Sequence, residues 1–435
     1  MKTNDFLTHA GALAGISVRR AVALAGGALL LAALASCGHE DNYYVVAGPL
    51  PPGYGSVYVP NSVAVADVNG DGTPDLLVAT TVDQGAGNNP GIAAVYLGNP
   101  SAPGTFQQGV TFPTTGTDPS GIVVVNLSTA SGAGTDLVVS NFGTGTASIL
   151  LHDPTNPGKY LPATTLTTGG QPNQVVSGDL NGDGVPDLVF ADLSSTGNAV
   201  VVLQDATHPG QFLAPLNLPT GGMTPSVAVG DLNGDGKADV VAVHFDTNGN
   251  NGQATVFFQN SASPGTFQAA VNFAAGAQPQ AVRIADVNGD GLPDLIVANR
   301  GPGSDGTGTP GVSIVLQDAA HPGSFLAPIT YSTPWGAIDV AVADLNADGK
   351  PDLVVASLGP APTGAVSVLL QNATTPGTFG TATSYRGFGQ PLSVAIADLN
   401  GDGRPDIAAA DGYNATVMLQ SATSPATFAQ PVPVN

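Results

Sequence analysis

Asp67-Val68-Asn69-Gly70-Asp71-Gly72-Thr73-Pro74-Asp75 decides the fold, because the same nine-residue pattern returns at 179–187, 231–239, 286–294, 344–352 and 398–406. A damaged copy occupies 126–136. The seven first positions, 67, 126, 179, 231, 286, 344 and 398, are separated by 59, 53, 52, 55, 58 and 54 residues. Periods of about 50 residues mark propeller blades, in which one supersecondary unit repeats around an axis. Seven copies fit one closed ring.

Outward from each copy, strand signals follow in a fixed order. Around the sixth they are A at 338–343, B at 353–356, C at 365–370 and D at 379–385, separated by Asp-rich, Gly-rich and Pro-Gly turns. This is a four-stranded antiparallel meander. A recurring Pro-Gly-x-Phe turn places Phe106, Tyr160, Phe212, Phe267, Phe325, Phe379 and Phe428 at equivalent positions. A repeat that cannot bury its own face needs such an anchor in every copy, so these aromatics are expected between blades. Closure into a ring leaves only short, protected edges, whereas an open solenoid would need capping repeats, and neither end offers one. Residues 428–434 read as strand D of blade seven, so closure is expected to rely on packing against blade one, with 43–46 as a candidate extra strand there. The expected fold is all-β: a seven-bladed propeller with blades at about 61–116, 117–170, 171–222, 223–277, 278–333, 334–389 and 390–435.

In Asp-x-Asn-x-Asp-Gly-x-x-Asp, positions one, three, five and nine offer oxygen ligands, position seven offers a backbone carbonyl, and the Gly at six permits a sharp turn. Oxygen donors at this density select calcium over zinc or copper, which prefer nitrogen and sulfur. The motif opens like an EF-hand loop but runs into a β segment at 74–79 behind the helix-hostile Pro74, with no Glu at position twelve. A spacing above fifty residues excludes a tandem calcium β-roll.

Taken together, these loops resemble the FG-GAP or VCBS repeats, the family that includes the propeller of integrin α-subunits, in which such loops join strands A and B and bind calcium. The resemblance covers about residues 61–435. It implies about six calcium ions, held by Asp67, Asn69, Asp71 and Asp75 in blade one and by Asp179, Asn181, Asp183 and Asp187 in blade three. Blades four and five match with Asp231, Asn233, Asp235, Asp239 and with Asp286, Asn288, Asp290, Asp294. Blades six and seven match with Asp344, Asn346, Asp348, Asp352 and with Asp398, Asn400, Asp402, Asp406. Ala347 replaces a Gly in blade six and leaves every ligand in place. In blade two Asn126 replaces the first Asp, position five has no Asp and Asp136 comes two residues late, so no calcium is expected there.

The charge is consistent with that assignment. There are 31 Asp against one Glu, Glu40, in a chain of net charge −22, and 18 of the 31 Asp lie in the six intact loops. A generic acidic face would mix Glu with Asp and pair both with Lys. At a dissociation constant of about 0.1 mM, millimolar calcium would stabilise each site by roughly 1.4 kcal/mol.

The first 36 residues read as an export signal. Lys2, Arg19 and Arg20 precede an apolar run at 21–34, too short for the roughly 20 residues that span a bilayer. Leu34-Ala35-Ser36-Cys37 resembles the bacterial lipobox, in which the Cys is diacylated and becomes the first mature residue. Cys37 is the only cysteine, so disulfides are excluded, and 37–60 reads as a Pro-Gly tether. Export, lipid anchoring at Cys37 to the bacterial envelope, at the outer membrane or cell surface, and a monomer are expected. No basic footprint for nucleic acid is present.

Catalytic constellations are hard to find in the pattern. The body holds only His152, His208, His244 and His321, with no zinc-ligand spacing, no phosphate-cradling loop and no Gly-x-Ser-x-Gly elbow. A binding or adhesion module for a protein or glycan is therefore the leading expectation; a propeller carbohydrate lyase or dehydratase and a structural envelope protein are the alternatives. In an up-and-down meander the A–B and C–D turns share one face, and the B–C and D–A loops share the other. The second face carries loops lengthened around 82–91, 244–252, 299–311 and 357–364 and gathers residue types scarce in this chain. His244, Arg300, Trp335, Arg386, Phe388 and Tyr413 are the candidate ligand-binding residues, since Trp, Tyr and Arg carry binding hot spots and loops on rigid scaffolds carry function.

Overall fold

Valine-, leucine- and alanine-rich runs form the two inner strands of each repeat, as in Asp187–Asp192 and Asn198–Val202, where every residue but Asn198 is buried. Such runs suit strands covered on both faces, while the outermost strand alternates, as in Leu216–Pro219 with only Leu218 buried. The computed structural model describes residues 32–34, 43–45, 57–83, 89–127, 135–250, 252–302, 308–359 and 363–434. Seven four-stranded antiparallel sheets follow one another, each ordered A-B-C-D. In blade one the strands are Val57–Ala66, Asp75–Asp83, Pro90–Tyr96 and Val110–Thr117. In blade six they are Gly336–Ala343, Asp352–Leu358, Gly364–Leu369 and Thr383–Phe388, and in blade seven Ser393–Ala397, Asp406–Ala410, Ala415–Met418 and Val432–Pro433.

The core is divided into seven wedges, one between each pair of neighbouring blades. Between blades five and six, Ile296, Ala298, Val312 and Ile314 meet Val340, Leu353, Val355 and Leu369. Between blades seven and one, Leu399, Ala408 and Val417 meet Val63, Leu76 and Val78, so packing closes the ring. The turn aromatics enter these wedges: Tyr160 that of blades one and two, Phe379 that of five and six, Phe428 that of six and seven. Four of them meet an aromatic from strand D of the preceding blade edge to face, with centroids 5.2 Å apart for Phe112–Tyr160 and 4.9 Å for Phe273–Phe325.

Two expectations change. Strand D begins later than 379 in blade six and 428 in blade seven, because each turn aromatic makes only an isolated bridge to strand C. Phe379 pairs with Gln371, and the ladder resumes at Thr383 opposite Val368 with a one-residue offset that frees the ring to turn into the wedge. Segment 43–46 does not join blade seven: Tyr43–Val45 pairs antiparallel with Ala32–Leu34 in a separate two-stranded sheet.

Strand A carries a bulge after its first residues in six blades, at Pro60/Ser62, Pro119/Gly121, Pro172/Gln174, Met223/Ser226, Pro279/Ala281 and Ala337/Asp339. Bulges re-aim a side chain out of the pleat. Here they turn Asn61, Ser120 and Asn173 toward the axis, where each donates to a carbonyl of the next blade: Pro119, Pro172 and Pro225, at 2.7–2.8 Å. The sequence continues with Val282 N–H to Ser226 Oγ, Arg283 to Asp339, Val394 N–H to Asp339 Oδ2 and Val63 N–H to Ser393 Oγ. At least one side-chain bond thus links every blade to the next around a central channel of about 180 Å³.

Candidate metal loops and ligand face

Each intact Asp loop is folded around its own first residue. In blade one Asp67 Oδ1 accepts from the amides of Gly70 and Asp71, and Oδ2 from that of Gly72 at 2.8 Å. Asn69 Oδ1 accepts from the Asp71 amide and Asp71 Oδ1 from that of Thr73, both at 2.8 Å. The bond from position six to position one recurs in blades three to seven at 2.7–3.0 Å. Positions four and six are left-handed, at φ 75° and 82° in blade one, which is why Gly stands there. In blade six Ala347 holds the same conformation at φ 61°, at a cost of roughly 1–2 kcal/mol for a residue with a Cβ.

Position nine lies deeper. Asp75 begins strand B with no exposed surface; its Oδ2 accepts from the Val68 amide and its Oδ1 from the Gly98 amide that follows strand C. Asp187, Asp239, Asp294, Asp352 and Asp406 make the same two bonds. Burial raises the pKa of Asp75 to about 6 against these bonds, and repulsion from Asp67 and Asp71 adds to the rise. The pattern repeats at Asp187, Asp239, Asp294 and Asp406, with a rise of the same origin at Asp352.

Blade two separates the two roles. Asp136 stands two residues late in sequence yet begins strand B in the same register, accepting from the Leu127 and His152 amides at 2.9 and 2.8 Å. The His152 imidazole lies 2.8 Å from the same carboxylate. In blades three to seven the residue in the place of His152 is Gln, a signal that sequence reading missed. Gln317 donates to the carbonyl of Pro293 and accepts from Gly323, fastening the C–D turn to the Asp loop, and it also reaches Leu232 of the preceding blade. Glycines allow the C–D turn of one blade to lie against the Asp loop of the blade before it: Gly158 against Asn69, Gly323 against Asn233 and Gly104 of blade one against Asn400 of blade seven. The A–B and C–D turns therefore share a face.

Among the described residues no three Asp, Glu, His or Cys side chains are drawn into a cage. The donor chemistry fits a hard cation nonetheless. Each intact loop presents two carboxylates and an amide oxygen within five residues, and a carboxylate offers about four lone-pair sites, more than the amides of these loops fill.

On the opposite face the structure brings Trp335 and Arg386 together, the guanidinium carbon 5.1 Å from the ring centroid. Trp335 is half-buried on the D–A connection and backs onto Gly359, while Arg386 is exposed at the end of strand D. A second bulge aims it. Arg386 pairs with Ala365 and Phe388 with Gly364, leaving Gly387 out of register at φ 110°. In an unbroken ladder, with Gly387 paired, Arg386 and Phe388 would share a side of the strand; with Gly387 bulged out Arg386 faces solvent and Phe388 is buried in the wedge of blades six and seven. Phe388 is therefore a core residue rather than a ligand contact. His244 is also buried, its Nε2 2.8 Å from Thr255 Oγ1 inside blade four. Arg300 packs beside Gly336, next to Trp335, and Tyr413 against Gly389. His208 and His321 cap exposed turns on the Asp-loop face, each 2.8 Å from an Asp three residues earlier. Cys37 lies outside the described residues.

The channel offers Arg283 and Asp339 as its charged pair, 2.5 Å apart. Asp339 also accepts the amides of Val340 and Val394, so its oxygens are occupied by the ring.

An FG-GAP-like repeat profile matches residues 134–190, 179–242, 237–297, 286–355 and 344–409, and an FG-GAP repeat profile matches 53–96. No curated protein matches the chain. Among solved structures, a putative 6-phosphogluconolactonase from Bacteroides fragilis is 14% identical, with a TM-score of 0.51, covering 87% of this chain and 95% of that one. A second, from Bacteroides uniformis, is 14% identical, with a TM-score of 0.52, covering 88% and 98%. At such identity the likeness is one of fold.

Proposed function

The chain belongs to the FG-GAP-like repeat family, and from that premise we propose that it is a calcium-stabilised propeller, lipid-anchored at the bacterial envelope, that binds a protein or glycan ligand. The division of labour between its two faces carries this reading. One face is built from six near-identical Asp loops locked to their neighbours, as a structural face should be. The other varies between blades and presents the only Trp of the chain stacked with an exposed Arg.

Positions one, three, five and nine of each intact loop would hold calcium, which when bound supplies the positive charge that offsets their mutual repulsion. The protein's own residues do the rest: the buried Asp at position nine ties the loop to strand C, and Gln317 and its counterparts tie it to the next turn.

Whole-cell and glycan-array binding of the calcium-loaded protein tests the proposal. Trp335→Ala and Arg386→Ala should abolish binding while calcium content and melting temperature stay unchanged, and Cys37→Ser should move the protein from membranes to the soluble fraction. Equal loss of binding from substitutions at His208 and His321, on the other face, would overturn the assignment.

A further inference from the structure

We propose that Asn400 is a site of spontaneous modification, deamidating to aspartate and isoaspartate ahead of the other Asn-Gly pairs in the Asp loops. In this reaction the amide nitrogen of the following residue attacks the Asn Cγ, its proton leaves with the side-chain nitrogen as ammonia, and water opens the resulting succinimide. Opening at Cγ gives aspartate. Opening at the main-chain carbonyl gives isoaspartate, whose backbone runs through Cβ and Cγ and is longer by a methylene. Glycine favours the attack because no Cβ crowds the ring closure. Positions three and four read Asn-Gly in blades one, three, four, five and seven, and Asn346-Ala347 in blade six. The dipeptide alone therefore makes five sites equal.

Two hydrogen bonds restrain the reacting groups, and blade seven lacks both. The attacking amides of Gly70, Gly182, Gly234 and Gly289 each donate to the Asp at position one, at 2.7 Å. The leaving amide of the Asn donates to the Asp at position five: Asn69 to Asp71 at 3.0 Å, Asn181 to Asp183 and Asn288 to Asp290 at 2.9 Å. Where position seven is Lys237 or Lys350, this bond lengthens to 3.3 Å, from Asn233 to Asp235 and from Asn346 to Asp348. In blade seven position seven is Arg404, whose Nη1 takes Asp402 Oδ2 at 3.0 Å. Among the described residues neither Asn400 Nδ2 nor the Gly401 N–H then makes a hydrogen bond, and Asn400 keeps only the one its Oδ1 accepts from the Asp402 amide. That bond, common to all six loops, polarises the carbonyl under attack. Position seven thus sets the restraint: an uncharged residue leaves the carboxylate to the Asn, Lys weakens the bond, and the donor fork of Arg displaces it. All five glycines are exposed, so bonding rather than access to water ranks the sites.

Asn400 stands where the ring closes. The carbonyl of Leu399 beside it accepts the Gly104 amide of blade one at 3.2 Å, and a Cβ on Gly104 would meet that of Asn400 at 3.2 Å. Isoaspartate would insert its extra methylene directly after that carbonyl. Aspartate would add a third carboxylate to a loop that already holds Asp398 and Asp402, with repulsion among them. Either product loosens blade seven against blade one.

Peptide mapping by mass spectrometry tests this on the full-length protein, aged in mildly alkaline buffer with a chelator, below its melting temperature, so that only the loops' own bonds act. The urea-unfolded chain is the reference for each site, and there the five Asn-Gly pairs should convert at similar rates. In the folded protein Asn400 should convert roughly two- to tenfold faster than Asn69, Asn181 and Asn288 for each hydrogen bond it lacks, with Asn233 between them and Asn346 slowest. Arg404→Leu, which copies Leu292 of blade five, should slow Asn400 toward the rate of Asn288. Equal ratios of folded to unfolded rate at the five sites would overturn the proposal, and an unchanged rate at Asn400 in Arg404→Leu would overturn the part given to Arg404. The converted fraction, separated by ion exchange, should melt below the unconverted protein; equal melting would overturn the link to ring closure.

Discussion

Asp136 and His244 show how far a residue's type falls short of its role. By sequence Asp136 belongs to a loop that lost its ligands, yet its carboxylate makes the two backbone bonds found in every other blade, so the ninth position has a structural duty of its own. His244 reads as a loop residue on a variable face, and the structure buries it against Thr255, which no local pattern announces because it depends on how strand C of the same blade aligns. Burial holds its pKa below the ordinary 6.5. The folded protein therefore favours the neutral ring and the unfolded chain takes up the proton first, so its contribution is complete above about pH 6.5 and is lost as pH falls through the depressed value. Between pH 7.5 and 5 the melting temperature of the wild type should drop relative to that of His244→Gln, since the raised Asp at position nine of each loop shifts both proteins alike. Parallel curves would show that the ring titrates as it does in the unfolded chain.

At the level of the Asp loop with its two flanking strands, sequence reading was at its strongest. Nine residues of fixed chemistry recurring at one period leave little freedom, and strands A, B and C fall within one or two residues of expectation around Leu353, Ala365 and Ala343. What escaped were the bulges and the Gln fastening, since a Gln after an apolar strand looks like any turn residue until Pro293 and Gly323 are seen to bracket it. Two substitutions separate metal from scaffold. Asp235→Ala should remove about one site's share of calcium stabilisation, roughly 1.4 kcal/mol, and leave the chelated protein little changed. Asp136→Ala strands two buried amides and should cost about 1–3 kcal/mol for each, equally with calcium or with chelator. Urea unfolding in both conditions checks this, alongside bound-metal analysis, where six ions are expected and seven or none would contradict the loop assignment.

The whole molecule is a ring of wedges, and its closure was legible only as arithmetic: seven repeats of this length fit one turn. The bonds that link the blades were not, because Asn61, Ser120, Asn173, Ser226, Arg283, Asp339 and Ser393 share neither residue type nor a uniform place in the repeat, and only the first three stand in strand A bulges. The joint between blades seven and one, Ser393 to Val63, is a side-chain bond like the other six, and among the described residues all four strands of the last blade come from the same end of the chain. It follows that the necklace has no privileged first bead. A circular permutant that joins residue 434 to residue 57 through about four residues, the length of the 168–171 connection, and opens the chain at Gly221 between blades three and four should fold with a melting temperature within a few degrees of the parent. Opening between Gly234 and Asp235, inside an Asp loop, should cost far more, and equal damage from both cuts would show that the natural termini matter after all. The order of the beads is another matter: since each link has its own chemistry, exchanging two blades would leave Arg283 facing a neighbour that is not Asp339. On this reading the chain termini can move around the circle while blade neighbours cannot.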